Sequence, residues 1–132
     1  MATTLTKTAR TVVSSSSNTA GSTTRGTVDL RTAYGGFLTA KITNGATGPT
    51  VQCTCNFLVA HTASATPTAA SAGSDWKTVW SFGGGSANAA VTEQTWDIPP
   101  GVMHLEVEFT GNTGQTVTVE SFLSEVTNAV SA

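Results

Sequence analysis

Apolar and polar residues alternate with a period of two in run after run of this chain, and no stretch carries the 3.6-residue period of a helix. Period two sends successive side chains to opposite faces of a strand, so each run describes a strand with one buried and one wet face. In Arg25 to Tyr34, the residues Val28, Leu30, Thr32 and Tyr34 share one face, against Arg25, Thr27, Asp29 and Arg31. Gly35-Gly36 interrupts the run, after which Leu38, Ala40 and Ile42 alternate with Thr39, Lys41 and Thr43. From Val51 to His61, Val51, Cys53, Cys55, Phe57, Val59 and His61 face away from Gln52, Thr54 and Asn56. Trp76, Thr78, Trp80 and Phe82 alternate with Lys77, Val79 and Ser81, and a short strand is expected over Val91 to Ile98. Met103, Leu105, Val107 and Phe109 then oppose His104, Glu106 and Glu108. Val117, Val119, Ser121 and Leu123 oppose Thr116, Thr118 and Glu120 in the last run.

Turn residues punctuate these runs: Asn44-Gly45, Gly48-Pro49, Gly83-Gly84-Gly85, Pro99-Pro100-Gly101 and Gly111-Asn112-Thr113-Gly114. Thr62 to Ser74, small and hydroxyl-rich, reads as a long surface loop. Thr3 to Val13 has strand propensity but poor alternation, since Leu5 and Lys7 would share a face, and Ser14 to Ser22 reads as a low-complexity link. Residues 1–22 are therefore expected to form an N-terminal arm or a first strand with its link, 23–127 a sandwich, and 128–132 a short tail. Short strands at even spacing with Gly and Pro turns predict an all-β, antiparallel β-sandwich, jelly-roll-like, with about eight strands.

The surface chemistry is sparse. Thr and Ser supply 39 of the 132 residues, while charged residues make up 11% against about 25% in an average domain. The net charge of −2 comes without a cluster of either sign, which argues against nucleic acid or an anionic membrane as partner. The N-terminal residues carry no apolar signal-peptide core, so the chain is expected to be made in a cytoplasm. Cys53 and Cys55, at i and i+2, would be badly strained as a bridge and are expected to be reduced and buried.

Each candidate for chemistry has a plainer structural reading. His61 and His104 are the two imidazoles, and neither stands in a nucleophile–base motif. Cys53, Cys55 and His61 could be imagined around zinc, but a C-x-C pair inside an alternating strand lacks the spacing of a structural site. Glu106, Glu108 and Glu120 could pair as in glycoside hydrolysis; on polar faces of two strands expected to form a hairpin they read as solubilising groups. Gly83–Gly85 has no following helix or Walker lysine. No catalytic residue, metal or cofactor is expected. Trp76, Trp80 and Trp96 read as core residues or as a stacking platform for sugar rings.

Trp96-Asp97-Ile98-Pro99-Pro100-Gly101-Val102 leads into an alternating strand, then Gly111-Asn112-Thr113-Gly114-Gln115 and Thr116-Val117-Thr118-Val119. This pattern resembles small virion proteins of tailed bacteriophages, in which an Ile/Val-Pro-x-Gly turn precedes a Val-rich hairpin with an Asn-Thr-Gly tip. With the Ser/Thr/Ala/Gly-rich composition, it resembles capsid decoration (cement) proteins in particular. The match covers about the last 40 residues well and the rest in style only. The resemblance implies a non-enzymatic protein of the virion, assembled in the host bacterial cytoplasm. Its partners would be the major capsid protein and further copies of itself, as a dimer or trimer. Such a protein grips a repeated lattice through many weak contacts. The candidate contacts are Leu5, Lys7, Arg10 and Val12 of the arm, with Arg10 as anchor on an acidic shell. A carbohydrate- or receptor-binding module using the three tryptophans, or a tail or baseplate component, are the alternatives.

Overall fold

Among the described residues, eight strands pair in a pattern that follows from folding the chain once upon itself. In the structure, a computed structural model, residues 3–62 and 75–131 are described, with side chains over 4–62 and 75–128. The strands are β1 (Thr3–Asn18), β2 (Thr24–Asp29), β3 (Gly36–Asn44), β4 (Thr54–Ala60), β5 (Trp76–Gly83), β6 (Val91–Ile98), β7 (His104–Thr110) and β8 (Val117–Ser131). β1 pairs with β8, β2 with β7, β3 with β6 and β4 with β5, as in one long hairpin. Rolling that hairpin adds the pairs β3–β8 and β4–β7 and closes two antiparallel sheets, β1-β8-β3-β6 and β2-β7-β4-β5. This is the jelly-roll sandwich that the alternation predicts.

The inner faces hold the expected residues. Leu38, Ala40 and Ile42 of β3, Cys55, Phe57 and Val59 of β4, Leu105, Val107 and Phe109 of β7, and Val117, Val119 and Leu123 of β8 form one buried cluster. Phe57 sits at its centre, with the Phe82 ring edge-on at 6.1 Å and the Trp96 ring tilted at 6.5 Å. Truncating such a phenylalanine costs about 3–5 kcal/mol, because the surrounding packing relaxes only in part. Cys53 and Cys55 are free thiols in the same core, as expected. Burial raises both, Cys53 to about 11.

Some expectations are corrected. β2 ends at Asp29, so Tyr34 is half-exposed beyond the strand rather than facing inward with Val28 and Leu30. β4 begins at Thr54 and ends at Ala60, which leaves Val51 and His61 exposed at either side. Ser14 to Asn18, read as part of a link, are strand, with Ser16 and Ser17 opposite Val119 and Thr118. β8 runs on to Ser131 where a short tail is expected. The long loop expected over Thr62 to Ser74 falls, beyond Thr62, outside the described residues. β7 and β8 belong to different sheets, so they form no hairpin, and Glu120 stands on the other sheet from Glu106 and Glu108.

Two local features hold the first strand in place. At Gly26 a Cβ would collide with the Val12 carbonyl and the Val13 side chain, so only glycine lets β1 cross this close to β2. At the end of β1, the Asn18 amide donates to Asn112 Oδ1 (2.6 Å) and to the Ser22 carbonyl (3.1 Å). Asn112 donates back to the Asn18 carbonyl at 3.0 Å and to the Gln115 carbonyl at 2.9 Å.

Candidate functional site

Three groups of side chains could carry function: the β7 acids, the tryptophans, and the first strand with the sheet face beside it.

Glu106 and Glu108 project from β7 to the face away from the core, yet both are buried, at 1% and 7% exposure. This corrects their reading as solubilising groups. Cross-strand neighbours explain it: Glu106 lies between Thr27 of β2 and Leu58 of β4, and Leu58 forms a second small apolar cluster with Ala60 and Trp76. Glu108 is fully engaged. Its Oε2 accepts from Arg25 Nε at 3.1 Å and its Oε1 from Asn56 Nδ2 at 3.1 Å, while Asn56 Oδ1 accepts from Ser81 at 2.6 Å. Glu106 Oε2 has no hydrogen-bond partner. Burial, with the Glu108 charge beside it, lifts the Glu106 carboxyl to about 7, against a smaller opposing pull from Arg25. Among the described residues no pocket opens onto these acids, and no cluster of three metal-ligating side chains occurs. The arrangement is an internal ion network.

The tryptophans do not share a face. Phe57 pairs with Trp80 but Leu58 pairs with Thr78, so Val79 is an extra residue in β5. A bulge of this kind switches the faces of the residues on either side of it. Trp76, opposite Ala60, is therefore buried on the outer face, its ring 6.4 Å from that of His104. Trp80, opposite the core residue Phe57, lies on the inner side at the rim of the sandwich and is 44% exposed. Trp96, opposite Leu38, points inward from the edge of the other sheet and packs on the core. Trp80 is the one half-exposed indole of the three.

The first strand is an edge of the β1-β8-β3-β6 sheet, and residues 4–11 are exposed on both its faces. Leu5 is exposed, while Val12 packs in part against the core. Arg10 is not a free anchor: its Nη1 lies 3.0 Å from both carboxylate oxygens of Glu125, a largely buried group on β8. Lys7 makes no ion pair with any described residue. Next to this strand, the sheet's outer face carries Phe37 and Phe122, each about half-exposed and diagonal across the β3–β8 ladder. Thr11, Thr39 and Thr95 flank them in register, and a Lys41–Glu120 ion pair of 3.2 Å borders them. The sequence carries a signal for these two rings. Phe37 has the parity of Thr39 and Lys41, and Phe122 that of Thr118 and Glu120, so both are large apolar residues on polar faces.

No protein-family model matches the chain, and no curated protein sequence is significantly similar to it. Among solved structures, the chain is similar to the cleaved K3 adhesin domain of Lys-gingipain from Porphyromonas gingivalis, with 10% identity and a TM-score of 0.57 over 83% of this chain and 73% of that one. At that identity the likeness is one of fold. Two looser overlaps are a family 16 carbohydrate-binding module, with 7% identity and a TM-score of 0.47 over 89% and 76% of the two chains, and the SPBc2 prophage-derived protein YomS, with 19% identity and a TM-score of 0.45 over 94% and 97%.

Proposed function

We propose that this chain is a non-enzymatic structural protein of a phage virion, one that binds and reinforces the capsid surface as a decoration protein. The observation that carries the reading is the outer face of the β1-β8-β3-β6 sheet. There threonines surround the half-exposed Phe37 and Phe122, beside an edge strand whose residues 4–11 are open on both faces. Such a surface suits many shallow contacts with a repeated protein lattice, where multivalency multiplies a modest patch per copy. Arg10 and Glu125, and Arg25 and Glu108, are tied into ion pairs, and Glu106 is buried in the outer face of its sheet. The partner in this reading is the major capsid protein, with no nucleic acid, membrane or cofactor involved.

The test is to prepare particles with and without the protein and compare their survival of heat and chelators, alongside micrographs locating it. Greater resistance with the protein on the shell supports the reading. Equal resistance, or density at the tail instead, overturns capsid reinforcement.

A second reading, a carbohydrate- or receptor-binding module, is favoured by the rim position of Trp80 alone. A glycan titration followed by tryptophan fluorescence separates the two readings. In Trp80→Phe, a true glycan response disappears, and a chain that binds shells by its sheet face shows none to begin with.

A further inference from the structure

We propose that copies of this chain join head to tail, the open edge of β1 in one copy adding to the open edge of β6 in the next. The β1-β8-β3-β6 sheet would then continue from copy to copy. β1 and β6 close the two ends of this sheet and are hydrogen-bonded within it on one side only. A strand paired on one side presents a row of unused N–H and C=O groups, a template for another strand.

Charge selects the occupant. β1 contains Lys7 and Arg10 and no acid, whereas β6 contains Glu93 and Asp97 and no base. Arg10 is neutralised by Glu125, and elsewhere in the sheet Lys41 is neutralised by Glu120. The charges left without an ion pair on these two strands are Lys7 at one edge and Glu93 and Asp97 at the other. Charged residues on an edge strand commonly guard it against association. A guard repels a second copy when both edges carry one sign. Here the signs are opposite, so the two edges of different copies attract.

Face and direction agree. Lys7 pairs with Val126, two positions along from Ala9 opposite Ser124 and four from Thr11 opposite Phe122, which places it on the outer face. Glu93 and Asp97 stand opposite Lys41 and Phe37, on that same face. Each neighbouring pair in the sheet is antiparallel, so β1 and β6 run in opposite directions. Copies related by rotation about an axis along the strands therefore meet β1 to β6 in an ordinary antiparallel ladder. A register with Lys7 opposite Thr95 sets it diagonally between Glu93 and Asp97, within reach of a long side chain. Contacts of this heterologous kind close into a ring when the rotation allows and otherwise extend.

The experiment uses free protein, so it stands or falls apart from the shell-binding reading. Light scattering coupled to size-exclusion chromatography is run over a concentration series at low and high salt. The wild type is expected to assemble beyond the monomer, less so in high salt. Lys7→Glu makes both edges acidic and Glu93→Lys/Asp97→Lys makes both basic, and each is expected to weaken assembly about fivefold to tenfold. Mixing the two variants recreates opposite edges and is expected to restore assembly with strict alternation of the two chains. Circular dichroism melts confirm that these surface variants fold. A wild type that stays monomeric throughout, a Lys7→Glu chain that assembles as well as wild type, or a mixture that restores nothing overturns the proposal.

Discussion

Replacing Asn112 with alanine tests whether one side chain locks the end of the sandwich where β1 stops and β2 starts. Asn112 is fully buried and makes three side-chain bonds: to the Asn18 carbonyl (3.0 Å), to the Gln115 carbonyl (2.9 Å) and from Asn18 Nδ2 (2.6 Å). Alanine leaves each partner one bond short, and a buried polar group left unmet costs about 1–3 kcal/mol, with the Gln115 carbonyl, on an exposed residue, at the low end. Asn18 keeps the Ser22 carbonyl as acceptor and Thr24 as donor, so its share is the smallest. The total comes to about 3–5 kcal/mol, a large part of the roughly 5–15 kcal/mol that a domain has to lose. For a chain of 132 residues, 1 kcal/mol shifts Tm by about 3–4 °C, so the melt should fall by about 10–20 °C. Asn88 is the control: its Oδ1 accepts one exposed bond, from the Gly48 amide at 2.8 Å, so Asn88→Ala should lose less than about 1 kcal/mol. Urea denaturation read by circular dichroism gives both values. If Asn112→Ala loses no more than Asn88→Ala, the clamp is not what holds β1 to the rest of the fold.

Other perturbations probe the remaining parts. Glu106 titrates near 7 in the fold against an ordinary 4.5, so the folded state holds a proton that the unfolded chain releases between those values. Stability should therefore decline as pH rises through that window, by on the order of 3 kcal/mol, and urea midpoints at pH 5 and 8 should show Glu106→Gln lacking this decline. Gly26→Ala drives a methyl into the Val12 carbonyl and should cost about 1–3 kcal/mol or more, with faster proteolysis within β1. Gly101→Ala, which meets nothing within 4 Å, should be silent in the same assay. Cys53 and Cys55 should resist an aromatic disulfide reagent at pH 8 in the native protein, both reacting once urea unfolds it, because burial raises the Cys53 thiol to about 11 and also raises Cys55.

The inward residues of β3, β4, β7 and β8 were legible because each has a core beneath it, and a core imposes strict period two. β1 was hard to read for the opposite reason. Residues 4–11 have no core beneath either face, so no alternation is required of them until Val13 reaches the cluster. The Val79 bulge is also silent in sequence. One extra residue sends Trp76 outward while Phe82 stays in, although even spacing gives them one parity. The burial of Glu106 depends on Leu58, Ala60 and Trp76 meeting beside it, and those neighbours come together only through sheet pairing. Phe37 and Phe122 were readable in principle as apolar residues on polar parities, and their diagonal contact across β3 and β8 is what turns two exceptions into a surface.

In the function proposed above, this chain works by its sheet surface and open first strand, held against a virion shell. Hydrogen–deuterium exchange of the protein free and bound to particles tests it most directly. In the free monomer, kept dilute so that copies do not join through β1, the outward amides of residues 3–11 exchange fast, because β1 is bonded on one side only. Binding to particles is expected to slow exchange there and along β3 and β8 near Phe37 and Phe122. Unchanged exchange in these strands, or protection confined to the rim around Trp80, would contradict it.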